Sequence, residues 1–444
     1  MKALRRLAIA FFLFHFLFAF DSYAQETWSL RKCVDYAILN NPELQAAERR
    51  INSSRYGLDF QRSQFFPRLD FHSSTGYLTG EPISPWAVVR GVTDEQILAR
   101  NSSGDYLIGY LGLSIPVVKE GAFLAQNAPS INMANQQVSI DRNTYETKKN
   151  EVIYAVSTSY LNLMKNKEDV KVAEEHVKAL KAYQTLIQSK YREGFLSKNE
   201  LLKTQVKLEE AEKELKVYRN ASYLLSADLS IKMGMDRPKS IATSDDGFIP
   251  PTLAPVDEFI NEALANRAEI VVQQLRVSQA KEDLRRAQNE RYPSVEIASS
   301  VGVGNDYGSR TNSLWWAEVR ASLPLFDFGG ISSKIKSRQE KVAEEEKLLL
   351  SMSGGIAQEV VSAYTGISNA KPDIDLKEKM VEQSAENAKL YRARFEQNLA
   401  PLSSLLEAEY LLHSDLKALA EARYNLRTGY LQLIKAVDYR KLTF

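Results

Sequence analysis

The chain has little with which to do chemistry. Of its 444 residues one is cysteine and four are histidine. A single Cys excludes an internal disulfide, and so few Cys and His argue against thiol chemistry or a metal centre. His72, His176 and His413 stand apart in the sequence without ligand spacing, so no metal and no cofactor is expected. Ser, His and Asp are present, but no Gly-x-Ser-x-Gly turn accompanies them, so no catalytic residue is singled out. The net charge is only +1, which speaks against a nucleic-acid or polyanion binder. After residue 24 no apolar run reaches the roughly 20 residues that a bilayer-crossing helix takes. Charged residues at 25% and hydrophobic ones at 44% exclude both disorder and a multispanning helical membrane protein. What the chain has in quantity is tyrosine, 21 of them.

The first 24 residues read as a secretory signal. Lys2, Arg5 and Arg6 precede an apolar run from Leu7 to Phe20, and Ser22-Tyr23-Ala24 supplies small residues before a cut at Gln25. An uncleaved anchor is the alternative, with a run short for a spanning helix. Cleavage leaves 54 basic and 55 acidic residues, net −1. Cys33 lies well past the apolar run and follows Arg31-Lys32, so it reads as a buried helix residue and not a lipidation site. The protein is expected to leave the cytoplasm, and any membrane insertion must use strands.

The chain repeats itself. Asn40-Asn41-Pro42-Glu43-Leu44 lines up with Asn266-Arg267-Ala268-Glu269-Ile270, and the same offset of 226 carries Phe66-Pro67 onto Tyr292-Pro293. An offset of 208 puts Ser114-Ile115-Pro116 on Ser322-Leu323-Pro324. An offset of 204 then holds from Tyr160/Tyr364 through Tyr191/Phe395 to Leu229/Leu433. The expected organisation is a first repeat over 25–235, a proline-rich linker over 236–257 and a second repeat over 258–444. Each repeat reads helix, strand, strand, helix, helix.

Alternation of period two predicts strands at about 68–78 and 105–116 in the first repeat and about 294–304 and 314–324 in the second. One face of each strand is apolar. Asp70, His72, Glu296, Glu318 and Arg320 fall on the other, which is how a transmembrane barrel strand reads. Half-buried strands of a soluble sandwich have the same period. Pro67, Pro116, Pro293 and Pro324 mark where strands give way to helix. The interval between paired prolines is 49 residues in the first repeat and 31 in the second, so the extra 18 form a longer loop within 79–104.

From about Gly121 to Lys190 helix formers dominate, enough for a rod of order 100 Å if unbroken. Beyond Gly194, Leu201, Thr204, Leu208, Ala211, Leu215, Tyr218, Ser222, Leu225 and Leu229 keep coiled-coil spacing. The offset of 204 carries that seam onto Leu405, Ala408, Leu412, Asp415, Leu419, Ala422, Leu426, Gly429 and Leu433. Four strands cannot close a sheet in lipid, where each unpaired backbone group costs several kcal/mol. Other copies of the chain must complete the ring, with eight strands from two chains or twelve from three.

At several places in order, the chain resembles the TolC-type outer-membrane efflux proteins. These are Ser29-Leu30 with Cys33-Val34-Asp35-Tyr36-Ala37 and Asn40-Asn41-Pro42-Glu43-Leu44, Phe65-Phe66-Pro67-Arg68-Leu69, Tyr191-Arg192-Glu193-Gly194-Phe195-Leu196-Ser197 with Glu200-Leu201-Leu202, and Leu323-Pro324-Leu325-Phe326-Asp327-Phe328-Gly329-Gly330. The resemblance implies an α+β membrane protein: a long coiled-coil α-helical barrel continued by a transmembrane antiparallel β-barrel of twelve strands, four from each chain of a homotrimer. It implies a periplasmic adaptor (membrane-fusion protein) and an inner-membrane pump of RND or ABC type as partners, outer-membrane lipid as surroundings, and the cell outer membrane of a Gram-negative bacterium as location. The function implied is passive export, as the duct of a tripartite efflux or type I secretion system. A periplasmic coiled-coil adaptor or scaffold without a pore is the alternative.

The resemblance also assigns sites. The hairpin tips Gly194, Phe195, Leu196, Ser197 and Asn398, Leu399, Ala400, Pro401 would meet the adaptor; without the resemblance they are ordinary helix-hairpin turns. Ser404 and Glu407 fall where the family often carries two acids at the periplasmic gate, and only Glu407 is acidic; a solvated helix carboxylate is its other reading. Tyr77, Tyr106, Tyr110, Trp315 and Trp316 suit an aromatic girdle at the lipid boundary or packing between strands.

Overall fold

A computed structural model of the chain describes residues 27–78, 104–244, 253–306 and 312–437. The expected signal segment, most of the long loop and part of the linker therefore lie outside the described residues. The chain is mostly helical. In its first part come β1 (Thr27–Trp28), α1 (Leu30–Asn40), α2 (Pro42–Ser63), β2 (Arg68–Leu78), β3 (Gly104–Lys119), β4 (Ala122–Phe123), α3 (Pro129–Arg192) and α4 (Lys198–Lys232). Then come β5 (Ala242–Thr243), α5 (Val256–Asn266), α6 (Ala268–Asn289), β6 (Ser294–Asp306), β7 (Asn312–Ser322), α7 (Gly330–Glu396) and α8 (Leu402–Val437). Two compact units emerge, one of Ala46–Thr147 with Arg267–Gly355, the other of Met1–Gln45, Lys148–Asn266 and Ile356–Phe444.

The first unit holds the sheet. Its strands run in the order β2-β3-β6-β7 with antiparallel neighbours throughout, and β4 folds back on the end of β3. Arg68 faces Ser114 in the first hairpin and Ser294 faces Ser322 in the second. Adding 226 and 208 to the first pair gives the second, so the two hairpins share one register. The ladder brings Leu69, Phe71, Leu111, Ile297, Val301, Trp315 and Val319 to one face, and all of them are exposed. Asp70, His72, Tyr110, Glu296, Trp316, Glu318 and Arg320 occupy the alternate positions. Gly302 sits opposite Tyr110, and a Cβ there would come within 2.4 Å of the Tyr110 Cβ. The missing side chain is what lets Tyr110 lie flat against the ladder.

Proline does not end β3 as expected. The strand runs through Pro116 to Lys119, and its register against β6 shifts between Pro116 and Val118. Pro lacks the ladder donor, and a bulge is where a strand tolerates it. The chain then turns tightly, with positive φ at Glu120, Gly121, Leu124, Ala125 and Asn127. The helix expected from Gly121 starts only at Pro129, which opens α3 where a missing N–H costs nothing. The Glu120 carboxylate accepts from the Ser130 N–H at 3.1 Å and complements the positive helix end. Phe65, Ala122 and Ala128 form the small core under this turn. In the second repeat β7 stops at Ser322, two residues short of the expected end, and Asp327 caps α7 by accepting from the Gly329 and Ile331 N–H groups.

The second unit is a set of helices with one short parallel pair, β1 with β5. Ala242–Thr243 thus forms a strand inside the stretch expected to be linker, and α5 already begins at Val256. Asn41 joins α1 to α2. Its Oδ1 accepts from the Glu43 N–H at 2.9 Å and its Nδ2 donates to the Lys232 carbonyl at 3.0 Å. Every residue of the two coiled-coil seams is buried or half-buried, from Leu201 to Leu229 on α4 and from Leu405 to Leu433 on α8. Intervening apolar residues such as Leu202, Val206 and Tyr410 are exposed.

Candidate functional site

The two turns that join the long helices have the same backbone. At the first, the Phe195 N–H donates to the Lys190 carbonyl (2.9 Å) and Gly194 to Tyr191 (3.1 Å). At the second, Leu399 donates to Arg394 (2.7 Å) and Asn398 to Phe395 (3.1 Å), the same pairs shifted by 204. Both turns need a left-handed residue. Gly194 has φ 84° and Asn398 φ 61°, and Asn is among the few residues that accept this region. The turns differ in how the next helix begins. Ser197 and Glu200 form a reciprocal capping box on α4. The matching positions on α8 are Pro401 and Ser404, which cannot form one.

Phe195 and Leu399 project outward, 63% and 71% exposed. Leu196, expected to be exposed with them, is half-buried against the core of Leu180, Ile187, Phe395 and Leu405. Ala400 is half-buried, while Ser197, Asn398 and Pro401 are exposed. Lys190 fastens the two turns together. It is buried, and its Nζ donates to Asn398 Oδ1 at 2.5 Å and to the Glu396 carbonyl at 3.2 Å. The ammonium also lies 5.6 Å from the Phe395 ring centroid and 6.0 Å from that of Phe195. The sequence reading missed this lysine. A signal was available: a basic residue stands in the last turn of both helices, as Lys190 and Arg394, where cations favour the helix end.

Behind the turns, polar groups are buried between helices. Glu409, 5% exposed, accepts from the Tyr183 hydroxyl and from Arg392 at 2.9 Å. Burial and the Glu409 carboxylate push the Tyr183 hydroxyl pKa upward. Further from the turns, His176 of α3 stacks on His413 of α8 with ring centroids 4.1 Å apart. Glu214 of α4 reaches both oxygens into this cluster, Oε2 to His413 Nε2 at 3.2 Å and Oε1 to Lys417 Nζ at 2.7 Å. Burial works against the Glu214 charge, but the Lys417 and His413 partners outweigh it and hold the carboxyl below the usual range. Burial followed by the neighbouring His413 pushes the His176 imidazole down to about 4. His413 is pushed down as well, chiefly by burial. His176 and His413, isolated in the sequence and 237 positions apart, are brought together by the helices.

A cavity of about 740 Å³ opens beside the cluster, lined by His176, Glu214 and His413 at one end and by Lys203, Glu407 and Tyr410 elsewhere. Glu407 is exposed and Ser404 half-buried. The offset of 204 pairs Glu407 with Lys203, so opposite charges stand at matching positions.

On the sheet, Arg68 holds Asp70 at 2.8 Å and Arg320 holds Glu318 at 2.5 Å. His72 stacks on Tyr110 with centroids 4.8 Å apart. Of the aromatic residues expected at a lipid boundary, Trp315 lies on the apolar face, whereas Tyr110 and Trp316 fall in register with the charged set. The side chains of Tyr77 and Tyr106 lie outside the described residues.

The profile of the family described as "Outer membrane efflux protein" matches residues 33–230 and 259–437. The chain is 19% identical over 441 residues to the outer membrane protein TolC of Escherichia coli K12, covering 95% of this chain and 84% of that one. It is 20% identical over 414 residues to the alkaline protease secretion protein AprF of Pseudomonas aeruginosa, covering 89% and 82%. Among solved structures, it is similar to the outer membrane protein VceC of Vibrio cholerae, with TM-score 0.75, 17% identity, and 92% and 95% of the two chains covered. It is likewise similar to the MtrE outer membrane channel of Neisseria gonorrhoeae in its open state, with TM-score 0.75, 17% identity, and 92% and 88% covered.

Proposed function

Since the chain belongs to the outer membrane efflux protein family, we propose that it forms the outer-membrane duct of a tripartite efflux or type I secretion system in a Gram-negative bacterium. It conducts small molecules or polypeptides passively outward and catalyses nothing itself. The observation that carries this reading is the sheet. Eight large apolar side chains, the seven named above and Val303, lie exposed on one face, the charges lie on the other, and β2 and β7 have no neighbour on their outer sides among the described residues. In water such a face invites aggregation. In a bilayer it faces lipid, and the edges must close on further copies.

The architecture proposed is two repeats per chain and three chains per ring, with twelve strands closing a β-barrel and the long helices forming a helical barrel in the periplasm. Asp70, His72, Glu296, Glu318 and Arg320 line the lumen, with Tyr110 and Trp316 beside them. Trp315 faces lipid. The turns at Gly194–Ser197 and Asn398–Pro401 receive a periplasmic adaptor, led by Phe195 and Leu399, and the adaptor links to an inner-membrane pump. Three copies of Glu407 ring the periplasmic gate and attract cations; Ser404 supplies no second ring of charge.

Planar-bilayer recording of the purified protein tests the duct. Discrete conductance steps are expected, together with outer-membrane fractionation. Protein that stays in solution without detergent and conducts nothing would instead identify a periplasmic scaffold. Glu407→Lys should weaken block by divalent cations from the periplasmic side; unchanged single-channel behaviour would remove Glu407 from the gate and leave the duct standing.

A further inference from the structure

We propose that His176, Glu214 and His413 form a binding site for a divalent transition-metal ion of the zinc class, joining α3, α4 and α8. One ligand atom from each residue lies within 4.8 Å of the others. His413 Nε2 and Glu214 Oε2 are 3.2 Å apart, close to the roughly 3.3 Å between two ligands on a tetrahedral ion with bonds near 2.0–2.1 Å. For that pair little movement is needed; His176, whose ring stacks on that of His413 with centroids 4.1 Å apart, turns out of the stack to close the set.

Two features favour a ligand over mere packing. Nδ1 of His176 and Nδ1 of His413 are both buried without a hydrogen-bond partner. An unsatisfied buried polar atom costs roughly 1–3 kcal/mol, and a stacked pair leaves two of them side by side. A metal on His176 Nδ1 would remove one of the two, whereas His413 enters the set through Nε2. The second feature is the hold on Glu214. Lys417 takes Oε1 and leaves Oε2 toward His413, so the carboxylate is oriented from behind as metal-ligating carboxylates are.

The ligand chemistry sets the class of ion. Two imidazoles and one carboxylate suit zinc, copper or nickel. Calcium and magnesium want six or more oxygens, and the Lys417 ammonium nearby would repel a loosely held hard cation. All three residues line the cavity that Glu407 also lines, which would leave room for water or an exogenous ligand beside the ion. Bound metal would pin the second helical hairpin to the first through three side chains.

Co²⁺, with its visible absorption, is the probe, titrated into the full-length protein in detergent and displaced by Zn²⁺. One ion per chain is expected. His176→Gln and His413→Gln should each weaken binding by more than the roughly 10–100-fold that a disturbed outer partner costs. His413→Cys should restore it with a thiolate-to-cobalt charge-transfer band, which a purely structural histidine would not produce. Zn²⁺ should also raise the melting temperature of wild type, reversed by chelator, and leave the glutamine variants unmoved. Equal Co²⁺ uptake by wild type and the His176→Gln/His413→Gln double variant, or no uptake by wild type, would overturn the site.

Discussion

Lys190 Nζ stands 2.5 Å from Asn398 Oδ1, so the last turn of one long helix grips the turn that ends the other. The amide at this position does two things at once: it adopts the left-handed backbone and offers an acceptor to a buried charge. Glycine would serve only the first. Lys190→Met should lose a charge-assisted bond worth about 1.5–3 kcal/mol, lowering the melting temperature and speeding amide exchange at both turns. Asn398→Gly should relax the backbone and still show the faster exchange, whereas Asn398→Asp should keep protection. Exchange unchanged in Lys190→Met would show that the turns are held by their apolar core alone.

Gly302 is the tightest position in the sheet. Alanine there would drive its methyl into Tyr110 and the Gly109 carbonyl, 2.4 and 2.7 Å away. Gly302→Ala should reduce the yield of membrane-inserted protein sharply. A companion change, Tyr110→Gly, removes the nearest of the three close contacts, that with the Tyr110 Cβ, and should recover part of it. The measurement is the heat-resistant oligomer in outer-membrane fractions.

In the proposed ring, the shared hairpin register would also set the junction between chains. Inside the chain, β3 meets β6 with Leu113 opposite Ser299. Carried across the offsets of 208 and 226, that pair becomes Ala321 of one chain opposite Ser73 of the next. Ser73→Cys with Ala321→Cys should cross-link neighbouring chains on mild oxidation. Ser73→Cys with Arg320→Cys, one residue out of register, puts the two side chains on opposite faces and should not. The native Cys33 is fully buried and does not compete. Cross-linking in the second variant instead of the first would show that the junction between chains departs from the one within.

Acid should loosen the helical unit. In the unfolded chain His176 titrates near 6.5, and in the folded one at about 4. Between those values the unfolded state binds the extra proton, so stability rises with pH across this window and falls on acidification from 7 toward 4. At about 1.4 kcal/mol per unit the upper bound is roughly 3.5 kcal/mol, and solvent screening of this partly exposed ring brings it down to about 1–2 kcal/mol. Glu214, Glu409 and Lys417 face the same ring and modulate it. Denaturation midpoints measured in chelator at pH 7 and pH 5 should differ for wild type, and His176→Gln should flatten the dependence.

The parts of the molecule that could be read from sequence are those with a period or a copy. Alternation in Val295–Val303 located β6, and the offset of 204 alone matches Asn398 to Gly194. Features without either were lost. Thr27–Trp28 and Ala242–Thr243 are too short to show alternation, and β3 passes Pro116 because a bulge, invisible in composition, accommodates it. The histidine cluster fails on both counts. His176 and His413 would map to Met380 and Glu209 in the other repeat, so the duplication itself hides them. Lys190 was hidden differently, as one basic residue among many on a charged helix.

The outer edges of β2 and β7 carry a consequence for inheritance. A chain damaged within the β3–β6 junction cannot assemble its own sheet and drops out before meeting its neighbours, so its loss is recessive. A chain damaged at only one outer edge still pairs through the other. In the proposed ring it would enter, leave one seam open and spoil the sound copies joined to it. Lesions on β2 or β7 should therefore act dominantly when both alleles are expressed, although they touch no residue of the lumen or the turns.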